Sequence, residues 1–210
     1  MRVMHQIQLV AAKRIIVKQN EELRRTISNR DKMYSVIAHD LLDNLLKWTK
    51  SQTGRLNVVY QDVELDDVVP GVVDIFHMIA EMKNITLRYI PNDEKMTVHG
   101  DNDMIKTIIR NLVSNAIKFT PEGKGIEVYC KREGDFARIC VQDHGVGIAA
   151  DRIDSIFHKG ETTYGTGGEE GSGLGLQLCQ DFARKNGGDA YVESVEGEGS
   201  TFSFTIPLKK

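Results

Sequence analysis

At 210 residues and a net charge of −3, the chain can form one or two domains with a buried core, and its slight acidity gives no reason to expect a nucleic-acid partner. The three cysteines (Cys130, Cys140, Cys179) are odd in number and form no Cys-x-x-Cys pair, so they read as buried thiols of a reducing compartment. The N-terminal apolar residues Val3, Met4, Ile7, Leu9, Val10, Ile15 and Ile16 are interrupted by Arg2, His5, Gln6, Gln8, Lys13 and Arg14, which excludes a membrane span there and argues against a signal peptide.

No Gly or Pro precedes Gly54. Leu23, Ile27, Tyr34, Ile37 and Leu41 follow a heptad seam, which predicts a long helix in a parallel coiled-coil homodimer. Apolar spacing continues through Leu41–Leu42, so one helix of about 60 Å is expected to run to about residue 53. His39 falls on the face opposite the seam, beside Asp40. An exposed helical His is most simply a surface residue, but a His-Asp pair clear of a dimer seam also suits a nucleophile with a carboxylate base.

Residues 54–66 read as a linker with a short extended piece, and residues 67–82 as a helix with Asp66 or Asp67 as N-cap. Residues 85–90 alternate as a strand. A strong helix begins near Asn102, with Ile105, Ile109, Leu112 and Ala116 as its core stripe. Two hairpins follow, one around Arg132–Asp135 and one around Gly197–Ser200, with a glycine-rich segment and a helix between them. This order predicts an α+β fold: a mixed sheet with helices over one face.

Two stretches carry chemistry. Asp143 ends an apolar run and is followed by Gly145 and Gly147, and seven of the sixteen residues from Gly160 to Gly175 are glycine. Neither the Walker pattern nor the dinucleotide fingerprint fits, since Leu follows the last glycines and the glycines form two separate clusters. Such runs let backbone approach a ligand closely and offer N–H groups to phosphate. The plain alternative is a mobile surface loop. On the 102–118 helix, Asn111, Asn115 and Lys118 share a second face. Asn is a poor helix-interior residue, so this face is either a hydrogen-bonded flank or a place where an amide oxygen meets Mg²⁺ and Lys118 meets phosphate. A carboxylate at Asp143 suits an exocyclic amine such as that of adenine.

The set resembles the sensor histidine kinases, whose catalytic domain has the Bergerat fold, an α/β sandwich shared with gyrase, the heat-shock chaperone and mismatch-repair proteins. SVIAHDL resembles the phosphoacceptor box, NLVSNAIKFT the asparagine box, DHGVGI and GSGLGL the two glycine boxes, and DSIF the phenylalanine box. The resemblance covers nearly the whole chain. It divides the chain into residues 1–56, a coiled-coil and histidine-phosphotransfer helix, and residues 57–210, an ATP-binding catalytic domain.

At matching positions the resemblance implies that His39 accepts the γ-phosphoryl group with Asp40 assisting, and that Asn115 holds Mg²⁺ with Asn111 and Lys118 near the phosphates. It implies that Asp143 binds adenine, with Gly145 and Gly147 shaping that pocket, and that Gly171, Gly173 and Gly175 hinge an ATP lid, with Leu174 among the nucleotide-binding residues. Lys159 would face the γ-phosphate, Thr201 would line the base pocket and Phe157 would anchor the lid. The lid, from about residue 149 to 171, is expected to be mobile without nucleotide. A response-regulator receiver domain is the implied partner. The cytoplasmic part of a membrane-tethered sensor is the implied setting.

The chain departs from the family's pattern in two places. His144 stands where Asn is usual. After Leu41 most of the usual helical hairpin is missing, and Asp43 stands where Asn or Thr serves phosphatase chemistry. The rival expectations are an ATP-binding coiled-coil module without autokinase activity and an ATPase acting on a partner's serine.

Overall fold

The computed structural model describes residues 13–14, 16–21, 46, 49, 53, 57–157, 164–168 and 173–209. The chain divides into two compact units, Met1–Asp43 and Asn44–Lys210. In the first unit, residues 13–14 and 16–21 are helical and exposed. The coiled-coil seam, His39, Asp40 and the Leu41–Leu42 junction lie outside the described residues.

In the second unit Leu46 and Thr49 are helical. Its first described strand, β1 (Tyr60–Glu64), pairs antiparallel with β3 (Thr97–Asp101) from Tyr60↔Asp101 to Glu64↔Thr97. Sequence reading gave neither strand in full. Their side chains are mostly polar, and the buried Val63–Val98 pair is their main apolar signal. Helix α1 (Leu65–Met82) buries Leu65, Val69, Val72, Val73, Phe76 and Ala80. Its N-cap is Glu64, not the expected Asp66 or Asp67, and no side chain caps it. The two aspartates lie in the first turn, where carboxylates favour the positive end of the helix dipole. Asn84, just past the C-cap, takes φ 54° and ends the helix.

The main sheet has the order β2-β4-β5-β7-β6, with β2 (Thr86–Ile90), β4 (Gly125–Glu133), β5 (Phe136–Asp143), β6 (Ala190–Val195) and β7 (Gly199–Pro207). β2 and β4 are parallel and the other pairs antiparallel, so the sheet is mixed, as expected. Helix α2 (Asn102–Phe119) packs against α1, β5 and α4 (Gly175–Lys185), and the short α3 (Ala150–Ile153) lies against β6. Ile105, Ile109, Leu112 and Ala116 are buried, as the helical period required. They join Ala137, Ile139, Val141, Phe202, Phe204, Ile206, Leu178 and Phe182 in one core between sheet and helices.

All three cysteines are buried free thiols. Burial pushes Cys130 up to about 12 and raises Cys140 and Cys179, so at neutral pH they remain protonated packing groups.

Candidate functional site

Helix α2 is fixed at both ends. At its start, Asp101 Oδ1 accepts the N–H groups of Asp103 and Met104, each at 3.0 Å. This N-cap satisfies donors that the helix cannot. At its end, Lys83 Nζ donates to the Ile117 and Lys118 carbonyls, both at 2.8 Å. The ammonium thus meets the negative pole of the helix. Between the two ends lies the half-buried face formed by Asn111, Asn115 and Lys118. Asn111 Nδ2 donates to the Thr107 carbonyl at 3.0 Å. Asn115 makes no side-chain hydrogen bond among the described residues. Lys118 Nζ lies 4.8 Å from the centroid of the Phe119 ring.

Asp143, at the end of β5, is 5 % exposed. Its Oδ1 accepts the Gly145 N–H at 2.8 Å and the Ser200 N–H at 3.3 Å. Among the described residues its Oδ2 accepts none. Burial pushes the carboxyl above its ordinary range, and the two backbone N–H groups oppose that shift. At Gly145 and Gly147 the loop after Asp143 has no room for a side chain. A Cβ on Gly145 would stand 2.5 Å from the Phe119 carbonyl oxygen, and one on Gly147, at φ 65°, would stand 2.0 Å from that of Val195. The Val146 N–H donates to the Phe119 carbonyl at 3.2 Å, which joins this loop to the end of α2.

The β6–β7 hairpin closes the other side. Ser194 Oγ accepts the Ile148 N–H at 2.9 Å, donates to the Gly199 carbonyl at 2.9 Å and lies 2.9 Å from Ser200 Oγ. The register Ile126↔Asp143↔Ser200↔Ser194 puts these four residues in one row. Thr201 belongs to the next row, with Gln142 and Glu193, and so lies on the opposite face of the sheet. The expectation that Thr201 lines this pocket is corrected: Ser200 stands beside Asp143. Sequence reading missed Ser194 and Ser200, although the two-residue period of β7 was a signal that could have separated Ser200 from Thr201.

At the second glycine cluster Gly173 has φ 67°, and Leu174 is the N-cap of α4, accepting the Leu178 N–H at 3.0 Å. Gly175 lies against Asn111. Phe157 is half-buried and packs on the core with Ile156. Thr166 donates its N–H, at 3.0 Å, and its Oγ1, at 3.1 Å, to the Lys118 carbonyl. Lys159 and Gly171 lie outside the described residues, as do residues 158–163 and 169–171 of the expected mobile lid. The structure thus brings Asp143, Gly145, Gly147, the α2 polar face and the start of α4 around one region.

Residues 100–210 match the family of histidine kinase-, DNA gyrase B-, and HSP90-like ATPases. The chain belongs to that family. Within it, the chain is 31% identical over 201 residues to the adaptive-response sensory kinase SasA of Rippkaea orientalis, covering 92% of this chain and 51% of that protein. It therefore spans about half the length of the curated relatives it matches. The nucleotide-free catalytic domain of histidine kinase ThkA superposes with a TM-score of 0.63 at 29% identity, over 71% of this chain and 95% of that one. Full-length ShkA in complex with AMPPNP shares the fold, with a TM-score of 0.70 at 24% identity over 81% of this chain and 35% of that one. No described helix is long and apolar enough to cross a membrane.

Proposed function

We propose that this chain is the ATP-dependent core of a protein-histidine kinase, with residues 57–210 as its ATP-binding domain and residues 1–56 as its dimerising, phosphoacceptor part. The observation that carries the ATP site is the Asp143 carboxylate. One oxygen is held by two backbone N–H groups, the other has no described partner, and a glycine loop that no side chain could replace lies beside it. In this reading Oδ2 accepts the exocyclic amine of adenine. The Asn115 amide and the phosphates would hold Mg²⁺, which neutralises phosphate charge when bound. Asn111 and Lys118 would meet phosphate oxygens, with Lys159 at the γ-phosphate. The Gly171–Gly175 backbone at the start of α4 would let the lid close.

His39 would attack the γ-phosphorus while Asp40 takes the ring proton; a nitrogen–phosphorus bond forms and ADP leaves. The phosphoryl group would then pass to an aspartate of a response regulator. The sensory-kinase relatives support this sequence. In the same reading the chain would work on the cytoplasmic side, below a membrane-tethered sensor.

Incubation of the chain with γ-labelled ATP and Mg²⁺ tests the reading. Acid-labile, alkali-stable label on wild type, and none on His39→Gln with unchanged nucleotide affinity, is the expected result. Bound nucleotide without label would leave an ATP-binding module that is not an autokinase.

A further inference from the structure

Asp101 stands where three parts of the fold meet. It is the last residue of β3 and the N-cap of α2, and it is 7 % exposed. While Oδ1 caps the helix that carries Asn111, Asn115 and Lys118, Oδ2 accepts the Val59 N–H at 2.8 Å, from the chain just ahead of β1. The Asp101 N–H donates to Asn186 Oδ1 at 2.7 Å. Asn186 is the C-cap of α4, and its Nδ2 donates to the Phe182 carbonyl at 2.7 Å. A Cβ on Gly100 would stand 2.7 Å from Asn186 Oδ1, so this junction has no spare room.

One side-chain oxygen is enough to cap a helix, as Ser and Thr caps show. The second Asp101 oxygen serves a residue 42 positions earlier, in the segment directly ahead of β1. With Val59 seated, three N–H groups fix the carboxylate and the first turn of α2 is held. With Val59 withdrawn, a buried oxygen loses its donor, and the carboxylate that caps α2 is held by two N–H groups in place of three.

We propose that Asp101 is a positioning residue that couples the seating of residues 57–59 to nucleotide affinity on α2. This rests on the ATP site proposed above. Coupling of binding free energies is reciprocal: what seats Val59 tightens nucleotide, and nucleotide tightens the Val59 hydrogen bond.

The test measures hydrogen exchange at the Val59 and Tyr60 amides with and without a non-hydrolysable ATP analogue and Mg²⁺, alongside calorimetric binding. In wild type the analogue should slow Val59 exchange about fivefold, the low end of coupling between sites. Two variants cut the link from opposite sides. Asp101→Asn keeps an oxygen for the α2 cap but turns an NH2 group toward the Val59 N–H. Val59→Pro removes the donor and leaves Asp101 intact, at a position just before a strand where Pro is tolerated. Both should raise KM for ATP about fivefold with kcat unchanged, and a purely structural role would not give that split.

Wild type that binds the analogue without protecting Val59, or Val59→Pro that binds it as tightly as wild type, would overturn the coupling and leave the ATP site standing. Wild type that binds no analogue would overturn the ATP site itself.

Discussion

A Cβ placed on Gly175, the first residue of α4, would stand 3.0 Å from Oδ1 of Asn111, midway along α2. Alanine is the better helix former by about 1 kcal/mol, so Gly175→Ala is expected to keep or raise the thermal midpoint. It must also displace the Asn111 amide by a few tenths of an ångström. Nucleotide affinity should therefore fall while stability does not, read by calorimetry and thermal unfolding on one sample. A variant that binds MgATP as wild type does would remove Asn111 from the phosphate site.

Asp143→Asn separates binding from folding in the same way. The Asn oxygen can still accept from Gly145 and Ser200, while its NH2 faces the amine it should receive. Loss of that bond in a dry pocket costs about 1–3 kcal/mol, roughly tenfold or more in Kd. Stability moves the other way with pH. Because burial raises the folded-state value of Asp143 above the ordinary 3.8, its stabilising contribution is full below that value and is lost as pH rises through the raised one. The stability advantage of Asp143→Asn over wild type should therefore grow across that window and level off above it. Urea midpoints at acid and neutral pH check this, and an advantage that shrank with rising pH would contradict it.

Two glycines with positive φ give a matched comparison. Gly123 has φ 80° with nothing within 4 Å of an added Cβ, whereas Gly147 has φ 65° and a carbonyl oxygen 2.0 Å away. Gly123→Ala should cost about 1–2 kcal/mol for the left-handed backbone alone. Gly147→Ala should cost more and abolish nucleotide binding, because the loop beside Asp143 must move. Equal melting temperatures for the two variants would contradict this.

Lys83→Met removes an ammonium from two carbonyls at the end of α2 while keeping the apolar stem. Hydrogen bonds to a charged donor contribute about 1.5–3 kcal/mol, and a loss of that order is expected in chemical denaturation. The carbonyl of Lys118 also receives Thr166, so exchange protection at the Thr166 amide should fall with it.

Where one face of an element packs and the other does not, sequence was a good guide. The α2 stripe of Ile105, Ile109, Leu112 and Ala116 and the two C-terminal hairpins follow directly from periods of 3.6 and 2. The β1–β3 ribbon was not legible, because its pairing rests on backbone bonds between mostly polar residues far apart in the chain. The cap at Asp101 was missed although an Asp directly before a helix is an ordinary signal. Asp143 and its glycines could be read as a site because residue type and spacing carry that chemistry. Which of Ser200 and Thr201 stands beside Asp143 depends on strand register, and register is set only when β5 and β7 meet.

That meeting also bears on how the chain folds and how it can vary. Asp143 and Ser200 are hydrogen-bonded partners 57 positions apart, and the glycine-rich segment, α4 and β6 lie between them. The β4–β5 and β6–β7 hairpins need only local closure and can form early, whereas the central β5–β7 ladder waits for the whole intervening stretch. The entropy of closing a long loop rises only with the logarithm of its length, about 0.6 kcal/mol for each doubling. Insertions between Asp143 and Leu174 therefore weigh lightly on the sheet, and that stretch can lengthen or shorten between relatives while the strands that hold the carboxylate stay in register.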